Sequence, residues 1–303
     1  MFMSREFPIL FAKGVIQNEG VRRCRALSEI VRPFIFVMCV LASELVAGAI
    51  DTSLPDPQVL RQRAIAGAQK LRKDRENYSC TVREENSDLN SDGSVKKKKT
   101  LLEERFFVNG WPVNHVLQRD GKTLTGDDAK KEQERTDKEV KKLSDTKRAD
   151  KIEEQNERQI DVFLRALRFT NGHREERNAR STVVYDLSGD PNFHAEKLEE
   201  RFAQALTGRI WMDEESGMPA ELKIETSRDV KVAGGVGANL HKGFQLHLVQ
   251  QRQPDGVWLT KVAEGSGDVR AILLLRQRFR FKEELDQCHL FSVNSQQKIQ
   301  APK

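Results

Sequence analysis

The sequence has 303 residues, a formal net charge of +5, and charged side chains at 32% of positions. Apolar residues make up 38% of the chain, which is enough for a core, but the charged fraction exceeds the roughly 25% of an average soluble protein. Some segment must therefore be strongly solvated. Lysine and arginine form no basic stripe, so the composition argues against a nucleic-acid-binding protein.

The first 49 residues have the features of an export signal. Several arginines between positions 22 and 32 precede an apolar run over 33–42, and Ala47-Gly48-Ala49 matches the small-x-small cleavage pattern. The apolar run is shorter than the about 20 residues of a membrane-spanning helix. We predict a signal peptide over 1–49 and a soluble periplasmic domain over 50–303. The alternative is an uncleaved membrane anchor.

Only two cysteines, Cys80 and Cys288, follow the predicted signal. An oxidising compartment would permit a disulfide between them. The alternative is two separate buried thiols that act as small apolar side chains. The sequence leaves both possibilities open.

The first part of the predicted domain alternates between helix and strand signals. Asp56-Pro57 can begin a helix, and apolar residues at helical spacing extend it to about position 73. Strands are predicted over 78–85, 95–108 and 112–119, separated by glycine-containing turns. The lysines at 96–99 are interpreted as a solvated strand end, with contact to anionic lipid headgroups as the alternative.

A highly charged segment separates these strands from the rest. Acid-to-base pairs four residues apart over 127–158 predict an exposed helix with little to bury. The segment then becomes amphipathic, since Ile160, Phe163, Leu164 and Leu167 follow the i, i+3, i+4, i+7 pattern. We predict a helical insertion over about 126–169, whose last turns cover a sheet.

The remaining sequence predicts a series of short strands. Residues 181–187, 208–213, 218–226, 244–248, 257–263 and 271–282 are β-branched or alternate between apolar and polar side chains. Hairpin turns and a one-sided apolar face are typical of an antiparallel sheet. A second layer must cover that face. The fold class predicted is therefore β-rich α+β, with helices over the apolar face.

Two strand-and-turn patterns give a resemblance to a known family. Gly208-Arg-Ile-Trp-Met-Asp213, followed by Gly217-Met-Pro219 and Leu222-Lys-Ile224, resembles a strand pair of LolA-like periplasmic proteins, the outer-membrane lipoprotein carriers. Asp255-Gly256-Val-Trp258-Leu259 is similar to that family as well. The resemblance implies a half-open antiparallel β barrel with helices covering its concave face. It also implies a carrier or chaperone that shelters lipoproteins or lipids in an apolar cavity.

Motifs that would support catalysis are missing from the sequence after position 49. It contains no G-x-S-x-G, H-E-x-x-H or C-x-x-C motif and no P-loop, and its histidines have no metal-ligand spacing. We therefore predict a protein that is not an enzyme and needs no cofactor or metal. Trp111, Trp211 and Trp258 either pack in the core or border an apolar ligand pocket.

The leading hypothesis is a periplasmic carrier that binds a lipid or the acyl chains of a lipoprotein. Burial of each CH₂ group of an acyl chain would contribute about 0.8 kcal/mol. The predicted cavity-face residues are Met218, Leu222, Ile224, Phe244, Leu246, Leu273, Phe279 and Phe281, and the predicted cover-helix residues are Ile160, Phe163, Leu164 and Leu167. The alternative is a non-catalytic structural or interaction protein that binds an envelope protein through the charged insertion.

Overall fold

The computed structural model describes residues 54–56, 59, 62–63, 71–177, 179–232, 238–271 and 275–290. The predicted signal peptide over 1–49 lies outside these residues, as does most of the helix predicted over 57–73, of which residues 59, 62–63 and 71–73 are described and helical. A 3-10 turn, Arg75–Asn77, leads into the first strand.

The described residues form thirteen strands and, after the 3-10 turn, three helices. The strands are β1 (Tyr78–Leu89), β2 (Val95–Val108), β3 (Trp111–Arg119), β4 (Lys122–Thr123), β5 (Leu167–Arg177), β6 (Arg180–Gly189), β7 (Leu206–Asp213), β8 (Pro219–Thr226), β9 (Val230–Val232), β10 (Ala238–Leu240), β11 (Gln245–Arg252), β12 (Trp258–Ala271) and β13 (Leu275–Leu290). The helices are α1 (Gly126–Leu143), α2 (Thr146–Ala166) and α3 (Leu198–Gln204).

The strands form one antiparallel sheet that is not closed. Its order is β4-β3-β2-β1-β13-β12-β11-β8-β7-β6-β5, and β9 and β10 extend it beside β12. The first and last strands, β1 and β13, are neighbours in the middle of this order, while β4 and β5 are the two edges. The predicted β-rich, antiparallel architecture is therefore confirmed, as an open sheet with helices.

One face of the sheet is apolar and carries the core. Leu222 lies opposite Leu248, and Ile224 lies opposite Leu246, so side chains of neighbouring strands share this face. The helices cover it: Phe202 of α3 contacts Phe244, with the ring centroids 6.1 Å apart. Phe163 of α2 belongs to the same buried cluster. We call this side of the sheet the apolar face.

The segment predicted as a helical insertion over about 126–169 contains the helices α1 and α2, but α1 is not merely solvated. Its Glu132 is buried and accepts a 2.9 Å hydrogen bond from the backbone N–H of Val116. Arg135 donates to the backbone carbonyl of Asn114, and Thr136 Oγ1 lies 3.0 Å from His115 Nδ1. Polar side chains therefore dock α1 along β3. The sparse apolar residues of this helix gave no sign of that contact.

The prediction that Leu167 belongs to a cover helix is wrong. Helix α2 ends at Ala166, and Leu167 has extended backbone angles and begins β5, where it lies opposite Gly189. The spacing of Leu167 from Ile160 suits a helix, but pairing with β6 decides the outcome because it satisfies the backbone hydrogen bonds of 167–177. Strand β5 escaped prediction because it carries few apolar side chains.

A disulfide joins Cys80 of β1 to Cys288 of β13. The two residues lie opposite each other in the antiparallel register, so their side chains face the same side of the sheet. Of the two possibilities that the sequence left open, the structure contains the cross-link. It links the first and last long strands through two cysteines that are 208 residues apart in sequence.

A polar cluster is buried where β13, β1, β2 and β3 lie side by side. Arg105 Nη1 donates to Glu283 Oε1 at 2.7 Å, and the side chains are only 1% and 2% exposed. Arg105 Nε donates to Asn114 Oδ1 at 2.9 Å, and Asn114 Nδ2 donates to Glu103. We call these four residues the buried charge cluster. Removing one charged side chain from the cluster would leave the remaining side chains buried, where water cannot replace the lost contact.

The turn between β7 and β8 depends on an ionised aspartate. Asp213 is buried and accepts hydrogen bonds from the backbone N–H and hydroxyl of Ser216 and from the guanidinium of Arg180. Burial, the largest influence, raises the pKa of Asp213, but these hydrogen bonds more than offset it, so the pKa lies below its ordinary value of 3.8. Ionised Asp213 therefore contributes to stability above the unfolded-state pKa.

We expect Asp213→Asn to lower the free energy of unfolding by about 2 kcal/mol at pH 7, because Arg180 loses its buried partner. The difference from wild type should shrink as the pH falls through the folded pKa, since the native carboxylate is then protonated as well. Urea titrations at pH 7 and pH 3 measure this. Glu215→Gln is the control, because Glu215 also binds Arg180 but is 54% exposed. An equal difference at both pH values would contradict the ionic origin.

Candidate ligand-binding groove

The other face of the sheet contains a cavity of about 1100 Å³. Residues from eight strands line it, so this face must curve around the cavity. We call the cavity the charged groove. Its lining residues with polar or charged side chains are Glu85, Thr170, Asp186, Ser188, Thr207, Arg209, Lys223, Glu225, Gln245, His247, Glu264, Ser266, Arg280 and Lys282.

A single cross-strand row forms the middle of the groove floor. Its members lie opposite one another in the register of neighbouring strands, one residue from each of eight strands. In order across the sheet they are Thr170, Asp186, Arg209, Lys223, His247, Glu264, Lys282 and Glu85. Because opposed side chains of one face lie close together, acids and bases in this row can pair across strands.

The charges of this central row are paired within the protein. Arg209 Nε lies 2.9 Å from Asp186 Oδ1. Hydrogen bonds from Asn171, the largest influence, and from Arg209 hold the pKa of Asp186 below its ordinary value. Lys282 Nζ lies 3.1 Å from Glu284 Oε1. These charged side chains are therefore paired within the protein rather than being free charges.

A buried carboxylate anchors the centre of the row. Glu221 is 5% exposed, and its Oε1 lies 2.8 Å from Lys223 Nζ and 2.9 Å from His247 Nε2. Arg177 also binds Glu221. The other ring nitrogen of His247 lies 2.9 Å from Glu264 Oε1, so both nitrogens of this histidine contact carboxylates. These contacts fix the orientation of the central side chains.

Trp211 lines the groove but offers little of its ring surface. The guanidinium of Arg177 lies 4.4 Å from the indole centroid, and Lys223 Nζ lies 5.4 Å from it. The indole N–H donates to Glu175 Oε2 at 2.9 Å, and this bond is the main reason that the pKa of Glu175 is lowered. With only 5% of Trp211 exposed, cations already occupy the position where a ligand would stack. Trp111 and Trp258 are buried as well.

Most of the predicted cavity-face residues lie in the packed core. Met218, Leu222, Ile224, Phe244, Leu246 and Phe281 are at most 4% exposed, Phe279 is partly buried against them, and Leu273 lies outside the described residues. Ile224, Leu246 and Phe281 also border the groove. Since side chains alternate between the faces of a strand, these three present mainly backbone to the groove.

Two of the four predicted cover-helix residues also lie in or against the core. Phe163 is buried in the core, and Leu164 packs against it while partly exposed. The side chain of Ile160 lies outside the described part of the structure, and Leu167 belongs to β5. The structure thus brings the helix and sheet residues together around a core filled with side chains.

The groove itself was missed by the reasoning from sequence, although its signal is present. Glu221, Lys223 and Glu225 alternate with core residues in β8, and Gln245 with His247 does the same in β11. In the sequence this alternation indicates only that these side chains lie on the side opposite the apolar face. Alternation identifies the residues that share a face, but it does not tell toward which face the sheet bends.

The arrangement suits binding by ion pairs and hydrogen bonds. Four lining residues are lysines or arginines and four carry carboxylates, so basic and acidic side chains are balanced in the groove, and His247 is the one further titratable lining residue. Among the residues that the structure describes, no three His, Cys, Asp or Glu side chains are placed to hold a metal ion. None of the helices in the described ranges is both long and apolar enough to cross a membrane.

The chain was compared with models of known families, with curated proteins and with solved structures. None of the three comparisons gives a match. The resemblance to LolA-like proteins therefore stays a prediction from the motifs between Gly208 and Leu259.

Proposed function

We propose that this protein is a non-catalytic binding protein of the periplasm, and that its ligand lies in the charged groove. The observation that carries the proposal is the cavity of about 1100 Å³, which is as large as the biggest typical ligand sites. The Cys80–Cys288 disulfide and the signal-like residues 1–49 support an oxidising compartment outside the cytoplasm.

The paired charges support binding rather than chemistry. Glu221, His247 and Glu264 contact one another or neighbouring cations at 2.8–2.9 Å, so the side chains at the centre of the row orient one another. A preorganised surface binds a ligand with a smaller loss of conformational entropy. The groove would thus recognise its ligand through fixed donors and acceptors.

The proposal is tested by filling the groove. Ser266 lies on the groove floor in β12, so we expect Ser266→Trp to occupy the cavity without touching the core. Thermal unfolding is measured with a tetrapeptide, a tetrasaccharide, a nucleoside triphosphate and a fluorescent fatty acid. At least one polar probe should stabilise wild type, by about 2.7 kcal/mol at 100 times its Kd, and not the variant.

The control is Ser181→Trp, which places the same side chain at an exposed position outside the lining. It should respond to every probe as wild type does. If no polar probe stabilises wild type, or if Ser266→Trp responds equally, the charged groove is not the binding site.

The acyl-chain carrier is the second candidate. In it, the apolar face would be the inner wall of a half-open barrel, and α2 and α3 would move aside to admit the cargo. The observation in its favour is that the helix residues Phe163 and Phe202 belong to the same apolar cluster as Phe244 and Phe281 of the sheet side. Binding of the fluorescent fatty acid that is equally strong in wild type and Ser266→Trp would favour this candidate over the groove.

A further inference from the structure

A second cross-strand row lies beside the central row of the charged groove. It runs through Ser188, Thr207, Glu225, Gln245, Ser266 and Arg280, each opposite the next in the register of neighbouring strands. All six residues line the cavity. Unlike the central row, it consists mostly of hydroxyl and amide side chains, with one carboxylate and one guanidinium.

These two charges have no ion-pair partner within the described part of the chain. Glu225 Oε2 has only a 3.5 Å contact with Gln245 Nε2, and both Glu225 and Arg280 are exposed. They cannot neutralise each other, because β11 and β12 lie between their strands. At about 4.8 Å between strands, their backbones are roughly 14 Å apart. The groove thus presents one anchor of each charge, separated by a hydrogen-bonding floor.

Building on the proposed function, we infer that the ligand is a short zwitterionic peptide lying across the strands. Its terminal ammonium binds Glu225 and its terminal carboxylate binds Arg280. An extended peptide spans at most about 3.3–3.6 Å per residue, so three or four residues bridge the two anchors. The Gln245 amide and the Ser266 hydroxyl lie between the anchors and can bond to the peptide groups.

Other ligand classes fit the same lining less well. A polyanion would meet the carboxylates Glu85, Asp186, Glu225 and Glu264. An acyl chain would lie against charged and hydrogen-bonding side chains, because Trp211 is covered by cations and the apolar side chains Ile224 and Phe281 of the lining are buried. A zwitterion matches the equal numbers of acidic and basic groups that surround it.

The test is a titration of tetra-alanine into the full chain, in which isothermal titration calorimetry measures the binding. N-acetylated and C-amidated forms of the same peptide each remove one terminal charge. In wild type, each modification should weaken binding about tenfold, as expected for the loss of a charge-assisted hydrogen bond. Glu225→Gln should abolish the effect of acetylation and keep the effect of amidation. Arg280→Gln should abolish the effect of amidation and keep the effect of acetylation.

Two exposed charges outside the groove provide matched controls, Glu76→Gln and Arg83→Gln. Both should retain the wild-type response to acetylation and amidation. If tetra-alanine does not bind but Ser266→Trp prevents binding of another polar probe, the charged groove is the binding site and the ligand is not a peptide. If tetra-alanine binds but the two groove variants keep both modification effects, the peptide termini do not lie at these anchors.

Discussion

Removal of the Cys80–Cys288 disulfide should lower the free energy of unfolding by about 5 kcal/mol. The cross-link closes a loop of 208 residues, and restricting so long a loop in the unfolded chain gives a stabilisation of that order in the chain-entropy model. The melting temperature of a domain of this size should fall by about 10–20 °C. Urea unfolding of the double variant Cys80→Ala/Cys288→Ala measures the effect.

The same experiment contains its own control. Reducing agent should destabilise wild type to nearly the level of the double variant and should leave the double variant unchanged. β1 and β13 also share a long run of ladder hydrogen bonds, so the native sheet should persist without the cross-link. A loss below about 1 kcal/mol would show that contacts between β1 and β13 already restrict the unfolded chain.

Removing the cation from the buried charge cluster should cost about 3–5 kcal/mol. Arg105→Met leaves Glu283 buried without its 2.7 Å ion pair, and Asn114 loses the donor to its side-chain oxygen. Urea unfolding of Arg105→Met measures this loss. Arg83→Met is the matched control, because Arg83 forms an exposed 3.5 Å pair with Asp286 that should contribute well below 1 kcal/mol.

A second variant separates the ion pair from simple packing. Arg105→Met combined with Glu283→Leu removes both charges and retains apolar volume, so it should recover a large part of the lost stability. If the double variant is as unstable as Arg105→Met alone, packing rather than loss of the ion pair with Glu283 causes the destabilisation.

The sequence predicted the apolar face well because strand periodicity is local. Leu222, Ile224, Leu246 and Phe281 were assigned to one face from alternation, and the register places them there. Alternation needs only neighbouring residues of one strand. The same reasoning predicted the helical segment, although Glu132 and Arg135 of α1 bind β3 in addition to the apolar contacts of Leu143.

Long-range features could not be predicted in this way. Nothing local indicates that β1 lies beside β13, and so the pairing of Cys80 with Cys288 stayed open. Strand β5 gave a helix-like signal at Leu167 and no apolar alternation after it. The charged groove depends on how eight strands bend together, and register shifts such as the one between Val249 and Gln250 contribute to that bend.

The two edges of the open sheet differ in how they avoid pairing with a second molecule. At one edge, β4 covers only two residues, and side chains of α1 bind the next strand, β3. Glu132 accepts from the backbone N–H of Val116, and Arg135 donates to the carbonyl of Asn114. The opposite edge, β5, has charged side chains at Arg174, Glu175, Glu176 and Arg177, which would be costly to bury between stacked sheets. Substituting these charges with valine or threonine should therefore create an aggregation-prone protein.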